Sequence, residues 1–358
     1  MKGFNIFHLL CFIDLNSSEK VFSPLHRTRL DVIQNVDKYH APTNDKEFWD
    51  PKRWRNLEPS SVMFGKRGDV VNKPYVGDWR YNYRLKGMKT STDDIIVAYL
   101  ACASSSSVNI SKYVDFGCGV GSTLLLVAHY LKPRESIGLE AQRQSFQLLQ
   151  ETIKNLPFST IDENKVIEVL HTDLRHNDIE PSSVQLITAN PPYAPLTSGT
   201  LCKDSQRRSA RFEIRGAVED YMSAAKRLLT TDGRFILSFW LQNDGDQRVR
   251  KAAKQVGMKI VRSIDVLMGD VSVTIPHITI YELMHIEYAH NNVIQGDEGK
   301  CTPVVNNFEP QWLEPLDYVE IDKTDNGKED KFLLNITKTH GAGYSDKFQM
   351  IRRKLLMR

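Results

Sequence analysis

The chain has 358 residues, a net charge of +3 and an apolar fraction of 41%. That length suits one large domain or one domain with appendages, and the apolar content suffices for a full core. The charge is too small to argue for a nucleic-acid partner by itself, so local clustering must decide. Five cysteines, Cys11, Cys102, Cys118, Cys202 and Cys301, stand far apart with no Cys-x-x-Cys pair. This argues against a disulfide framework or a zinc knuckle and favours free thiols in a reducing compartment, the cytoplasm or an organelle. No stretch reaches the roughly 20 apolar residues that a membrane span takes. Met1–Leu15 is interrupted by Asn5, His8 and Asp14 and reads as a buried or frayed segment rather than a cleaved signal.

In chain order, Lys52–Lys89 comes first, with ten Lys/Arg against Glu58, Asp69 and Asp78, interleaved with Trp54, Tyr75, Trp79, Tyr81 and Tyr83. Val114–Phe116 is a short apolar run that ends in glycines, and Thr123–Leu131 has helical spacing. Ser136–Glu140 reads as a strand and Gln142–Leu156 as a helix stopped by Pro157. Val166–His171 and Val184–Ala189 are strand-like, the second followed by Pro191–Pro192. Val218–Leu229 is an amphipathic helix that Gly233 is expected to end before a strong strand over Arg234–Leu241. Lys259–Met268 and Thr274–Met284 are two last strands, expected to form an antiparallel hairpin at one edge through Gly269–Asp270. Strands alternating with helices predict an α/β fold with a doubly wound, mostly parallel sheet. The stretch Glu287–Lys331 holds eleven Asp/Glu against four Lys, with many turn residues, and reads as an acidic, loop-rich insertion.

Asp115-Phe116-Gly117-Cys118-Gly119-Val120-Gly121 is a strand end running into a glycine-rich turn and a helix. Such a turn lets the backbone approach a ligand closely. Glu140, nineteen residues after Gly121, ends the next strand, where a carboxylate can accept hydrogen bonds from both hydroxyls of a ribose. A dinucleotide fingerprint needs a third glycine or alanine where this chain has Ser122. Asp115 suits a cationic ligand better than a pyrophosphate, through the ammonium end of methionine. Asp173, after the third strand, can accept from an adenine amino group. Together Asp115, Gly117, Gly119, Gly121, Glu140 and Asp173 point to S-adenosylmethionine, with Asn190 completing the set.

Ile187–Tyr193 closes the fourth strand with Asn190-Pro191-Pro192-Tyr193. An exocyclic amine on a conjugated ring is a poor nucleophile, because its lone pair is delocalised into the ring. If the Asn190 side-chain oxygen and the Pro191 carbonyl each accept one N–H, the nitrogen is drawn toward tetrahedral geometry and its lone pair is freed. The prolines restrict φ and preorganise the acceptors, and Tyr193 offers a ring face for a planar target. A glutamine side-chain amide presents the same planar NH2, so the motif predicts amino-methyl transfer more firmly than it predicts the substrate. His171 and His176 make no convincing metal pair, and no metal is expected.

These residues resemble class I methyltransferases of the amino-N group, and more closely the bacterial tRNA(Val) adenine-N6 methyltransferases. Met88–Asp94, leading into an apolar helix, is similar to that family's Lys-x-x-Thr-Asp segment. Ser209-Ala210-Arg211-Phe212-Glu213 is similar to its Ala-Arg-x-Glu segment, and Leu333–Ile351, with His340-Gly341 and Tyr344-Ser345, to its closing strand and tail. The resemblance covers about 60–286 and 332–351. It leaves 1–60 as an N-terminal extension and 287–331 as an insertion, both without counterparts, and the family has an apolar residue where Thr188 stands. It implies methylation of the N6 amine of adenine in RNA, most closely tRNA.

The Lys52–Lys89 composition suits phosphates and unstacked bases. Arg208, Arg211 and Arg215, spaced three and four apart, share a face if their segment is helical, and they follow the catalytic turn where a substrate backbone would pass. The target base would have to be unstacked or flipped to reach Tyr193. Other readings are a protein-glutamine methyltransferase, a DNA adenine methyltransferase, or a noncatalytic RNA-binding subunit. Retention of Asn190 and the glycine turn speaks against the last.

Overall fold

The computed structural model describes residues 69–105, 109–157, 164–195, 202–242, 244–268, 276–286, 319–322, 330–335 and 346–355. The N-terminal extension, Trp54, Gly269–Asp270, most of the acidic stretch and the tail motifs at 340–341 and 344–345 lie outside the described residues.

The chain opens with a hairpin, β1 (Val70–Val76) and β2 (Trp79–Arg84), followed by α1 (Thr92–Ser105). The alternating unit then follows as β3 (Lys112–Phe116), α2 (Ser122–Leu131), β4 (Glu135–Glu140), α3 (Arg143–Lys154), β5 (Val166–His171) and β6 (Val184–Ala189). After it come α4 (Ser205–Arg211), α5 (Val218–Leu228), β7 (Leu229–Trp240), α6 (Gly245–Val256), β8 (Met258–Leu267) and β9 (Ile278–His285). Two short strands, β10 (Val319–Asp322) and β11 (Asp330–Asn335), and the helix α7 (Asp346–Lys354) complete the described elements.

Nine of these strands form one sheet in the order β10-β11-β8-β9-β7-β6-β3-β4-β5. Strands β5, β4, β3, β6 and β7 are mutually parallel, and β9 runs antiparallel to both β7 and β8. This is the doubly wound, mostly parallel sheet that the alternation of elements predicts. The chain moves outward from β3 to β4 and β5, then returns to β6 on the other side of β3. Ligands bind at such a switch point, outside the carboxyl ends of the strands. The register Phe116↔Ala189 brings the glycine turn and Asn190 to adjacent strand ends.

Side chains alternate across each strand, so the sheet buries two apolar faces. Leu186, Ile236, Ile264 and Ile280 pack with α1, α2, α3, α7 and the β1–β2 hairpin. Ile187, Phe235, Leu237, Tyr281 and Leu283 pack with α5 and α6 on the other side. The turn into α2 depends on Gly121, whose φ is +89° and whose missing Cβ would lie 2.4 Å from Leu149 Cδ1. A larger residue there would be strained at that φ and would push the Leu149 side chain aside.

Three expectations are corrected. Gly233 does not end α5; the helix stops at Leu228 and Leu229 turns extended (φ −65°, ψ 138°) to pair with Val184. Gly233 instead lies in a bulge of β7, where a Cβ would sit 2.9 Å from the Val184 carbonyl oxygen. The β8–β9 pair is antiparallel but is not at the edge, because β11 pairs parallel with β8 and β10 follows it. The aromatics of the basic segment are not free to stack on bases: Tyr75, Trp79, Tyr81 and Tyr83 are buried. Trp79, Tyr81 and Tyr83 alternate along β2 and face the protein. Trp79 meets His129 edge-on at 4.9 Å, and the Tyr75 hydroxyl donates to the Ser122 carbonyl at 2.8 Å.

Strands β7, β8 and β9 are tied together by Glu282, which is 4% exposed. It accepts from Arg234 and from the Ser104 hydroxyl (3.1 Å) and lies 3.4 Å from Arg262. Burial works to raise the Glu282 carboxyl, but the charges of Arg234 and Arg262 hold it below its ordinary value. Removing one member of a buried ion cluster leaves the others uncompensated. Glu282→Ala should therefore cost about 3 kcal/mol, read as a lower denaturant midpoint with an unchanged slope.

Candidate active site

The site is built where β3 and β6 end side by side. Asp115, 2% exposed, lies under the glycine turn and accepts from the Thr188 hydroxyl at 2.7 Å. Thr188 Oγ1 also lies 2.7 Å from the Tyr113 hydroxyl, so a polar chain runs between the two strands inside the sheet. An apolar residue at 188 would leave Asp115 without this donor. Thr188 is therefore part of the site, although the family resemblance counts it as a departure.

Gly119 has φ +58°, and no atom lies within 4 Å of where its Cβ would be, which leaves room for a ligand against the backbone. Its N–H donates to Glu140 Oε2 at 2.7 Å, while the Gln142 N–H donates to Glu140 Oε1 at 2.5 Å. These bonds set the orientation of the Glu140 carboxylate, and a carboxylate has about four acceptor positions, so ribose hydroxyls still have partners there. Gly117 lies under Tyr221, whose hydroxyl would be 2.8 Å from an added Cβ. Asp173 is buried and gripped by Arg175 through Nε (2.8 Å) and Nη2 (2.6 Å). An adenine amino group would have to share that carboxylate with the guanidinium.

The Asn190–Tyr193 turn is held from two directions. Asn190 Nδ2 donates to Asp94 Oδ1 at 2.5 Å, and Asn190 Oδ1 accepts from the Ser238 hydroxyl of β7. The Tyr193 hydroxyl donates to Asp93, and its ring stacks on Trp240 at 5.3 Å and meets Phe239 edge-on. Trp240 covers one face of the Tyr193 ring, so at most the other is available to a planar target. After the turn, Ala194 bridges to Phe212, accepting from the Glu213 N–H at 3.0 Å and donating to the Arg211 carbonyl at 3.0 Å. This joins the turn to the end of α4.

Arg208 and Arg211 belong to α4, but the helix stops at Arg211, so Arg215 does not continue its face. Arg208 donates to the carbonyls of Cys202 (3.0 Å) and Lys203 (3.2 Å). The helix is anchored by Gln206, 1% exposed, which accepts from the Met88 N–H (3.2 Å) and donates to Ser145 Oγ (2.9 Å). Asp204 caps it by accepting from the Arg207 N–H and pairs with Arg84 at 2.9 Å.

Asp93, Asp94, Thr188 and Ser238 also border the candidate site, although sequence reasoning placed Asp93 and Asp94 only within a resembling segment and Thr188 only as a departure from it. Asp93 and Asp94 carried a legible signal: Ser91-x-x-Asp94 at the start of an apolar helix is a capping box. Ser238, inside a hydrophobic strand, carried none.

Carboxylates crowd this edge. Burial pushes Asp115 up to about 8, with the charges of Asp94 and Glu140 adding to the effect. Burial, then the charge of Asp93, pushes Asp94 up to about 6. A cation placed between the glycine turn and Asn190 would relieve this repulsion. The arrangement therefore fits a positively charged, nucleoside-containing ligand such as S-adenosylmethionine. Among the described residues no three His, Cys, Asp or Glu are grouped to hold a metal, and no helix is long and apolar enough to cross a membrane.

No protein-family model matches the chain. It is similar to the tRNA1(Val) (adenine(37)-N6)-methyltransferase of Bacteroides fragilis, 29% identical over 150 residues, 41% of this chain and 58% of the relative. The proteins of the same description from Proteus mirabilis and Histophilus somni are 23% identical over 183 residues and 29% over 157, covering 67% and 60% of their own lengths. The chain thus spans little more than half the length of the Bacteroides relative. A crystal structure described as a predicted O-methyltransferase from Agrobacterium tumefaciens overlays with a TM-score of 0.45 at 12% identity, covering 72% of this chain and 95% of that one.

The raised carboxyls make stability depend on pH. Free Asp releases its proton near pH 3.9, whereas folded Asp115 keeps it to about 8. Between these values the folded state binds the extra proton, so stability falls as pH rises. Thermal melts of the ligand-free protein from about pH 5 to 8 should show a steadily falling Tm, and Asp115→Asn should flatten that slope.

Proposed function

We propose that the chain is an S-adenosylmethionine-dependent methyltransferase acting on the exocyclic N6 amine of adenine in RNA, with tRNA as the substrate class. The observation that carries this reading is the Asn190–Tyr193 turn, fastened by Asp93, Asp94 and Ser238 beside the glycine turn and Glu140. The activity for which these relatives are named supports the same chemistry and the same substrate class.

In this reading Asp115, Gly117, Gly119, Gly121, Glu140, Asp173 and Asn190 hold the cofactor: Glu140 at the ribose, Asp115 toward the ammonium and Asp173 toward adenine. S-adenosylmethionine, when bound, supplies an activated methyl group on a cationic sulfur. Asn190 Oδ1 has a second lone pair beside the one Ser238 uses, and it accepts a hydrogen bond from one N–H of the target amine. The Pro191 carbonyl accepts from the other, with Pro192 stiffening the turn. Tyr193, immobilised by Trp240 and Asp93, supports the ring. No strong base is needed, because a methylated, cationic nitrogen loses its proton readily.

The RNA backbone has a surface to follow. Lys73 and Lys89, both exposed, flank the Tyr83 ring with Nζ at 5.2 Å and 6.0 Å from its centroid. Partial burial, then the like charges of Arg352 and Lys89, lowers the Lys73 pKa, as expected where cations crowd together. Lys89 is four residues from Asp93, at most about 14 Å of extended chain. A strand whose base reaches Tyr193 can therefore lay neighbouring phosphates on this cluster. Arg208, Arg211 and Arg215 are proposed as further contacts.

Two experiments test this reading. The protein is incubated with labelled S-adenosylmethionine and separate pools of tRNA, rRNA, DNA and protein, with Asn190→Ala as control. Label recovered from tRNA as N6-methyladenine and lost in the variant is the expected outcome. Label confined to protein would mean that the turn grips a glutamine amide. For the surface, Lys73→Glu with Lys89→Glu should weaken tRNA binding and reduce the slope of log affinity against log salt by about 1.5, from about 0.7–0.9 per lost phosphate contact. Cofactor affinity should not change.

A further inference from the structure

Asp94 sits in the third position of α1 and uses its two oxygens differently. Oδ2 accepts the Ser91 N–H at 2.8 Å while the Asp94 N–H faces Ser91 Oγ at 3.3 Å, which is the reciprocal pair of a capping box. Holding the helix end needs no more than that. Oδ1 instead accepts from Asn190 Nδ2 at 2.5 Å, across 96 residues of sequence.

An asparagine amide is nearly symmetric in shape, so turning it end for end costs little unless its neighbours distinguish oxygen from nitrogen. Asn190 touches Asp94 on one side and Ser238 on the other. A serine hydroxyl donates or accepts equally well and tolerates either end of the amide. An ionised carboxylate only accepts. Asp94 is therefore the neighbour that discriminates, and it holds the nitrogen on its own side and the oxygen toward Ser238.

Resting on the function proposed above, we infer that Asp94 is a positioning residue, whose ionised carboxylate orients the Asn190 amide so that Oδ1 is available to the target amine. Reversing the amide would present a donor where the amine needs an acceptor, and the lone pair would not be freed. The groups facing Asp94 are Asp93 on α1, Asp115 on β3, Tyr75 and Tyr81 on the hairpin, and Asn190 and Tyr193 on the turn. Burial raises all three tyrosines, Tyr81 to about 12, so none titrates near neutrality. Asp115 acts on cofactor binding, and saturating cofactor keeps it out of a kcat profile.

Asp94→Asn is the informative variant, since its oxygen still accepts the Ser91 N–H while its nitrogen faces Asn190 and inverts the amide. The expected result is a fall in kcat of about 10²-fold, comparable to losing one preorganised hydrogen-bonding group. The fall in kcat should exceed any rise in the cofactor KM, and the Tm should not fall, because the change removes a charge from the crowded carboxyls while keeping the cap. Wild-type kcat should fall on an acid limb where Asp94 takes up its proton, below the value of about 6 that burial and the Asp93 charge give the ligand-free protein, because a bound cation favours the carboxylate, and the variant should lack that limb. Asp94→Glu, which keeps both the cap and the acceptor, should retain more activity than Asp94→Asn. Equal losses in the two variants that follow Tm would reduce Asp94 to a helix cap and overturn the inference. So would a kcat for Asp94→Asn within about threefold of wild type. Independently of activity, the Asn190 side-chain amide signal, assigned by its loss in Asn190→Ala, should titrate with Asp94 in wild type and not in Asp94→Asn. Absence of that titration overturns the orientation. Its presence in a protein that transfers no methyl group would defeat the proposed function instead, and leave the orientation standing.

Discussion

The hydrogen bond from Thr188 to Asp115 joins the two strands on which the site depends. β3 and β6 are adjacent only because the chain winds outward to β5 and then returns, and their ends open the crevice between them. Asp115 is buried there beneath the glycine turn, where ionisation is costly, and Thr188 offers the donor that lowers the cost. The same junction sets Gly117 beside Asn190, so the glycine turn and the Asn190–Tyr193 turn share one hydrogen-bonded register.

Around that junction the protein accumulates acid. Asp93 and Asp94 start α1, Asp115 ends β3, Glu140 ends β4 and Asp173 follows β5. The N-terminus of a helix favours nearby anions through its dipole, which suits the first two, and Arg175 neutralises Asp173. Burial and mutual repulsion raise Asp94 and Asp115. Such a site is costly in the ligand-free protein and is relieved by a cation. Stability and cofactor binding are for this reason coupled through the same carboxyls.

Short, contiguous motifs were legible at once. The glycine turn, Glu140 at the next strand end and Asn190–Tyr193 each occupy a few consecutive residues whose backbone needs are local, and the structure brings the glycine turn, Glu140 and Asn190–Tyr193 to one edge. The hairpin was misread for an instructive reason. The basic segment was weighed by composition, whereas Trp79, Tyr81 and Tyr83 repeat every second residue and mark one buried face of a strand. The β7 start was misread because Gly233 resembles a helix stop, while the pairing of Leu229 with Val184 pulls the chain into the sheet earlier.

The sequence by itself determined the fold class, the order of the central elements and the residue types at the Asn190–Tyr193 turn, because periodicity, turn residues and strand-end motifs act over short distances. Only the tertiary structure decided which partners hold that turn. Asp94 and Ser238 lie 96 and 48 residues from Asn190 in the chain. Nothing in their local sequence selects those contacts, which arise when α1 and β7 pack on either side of β6. Arg175 was within two residues of Asp173 all along, yet whether two neighbours pair depends on burial removing the competing water, and burial is a property of the folded whole.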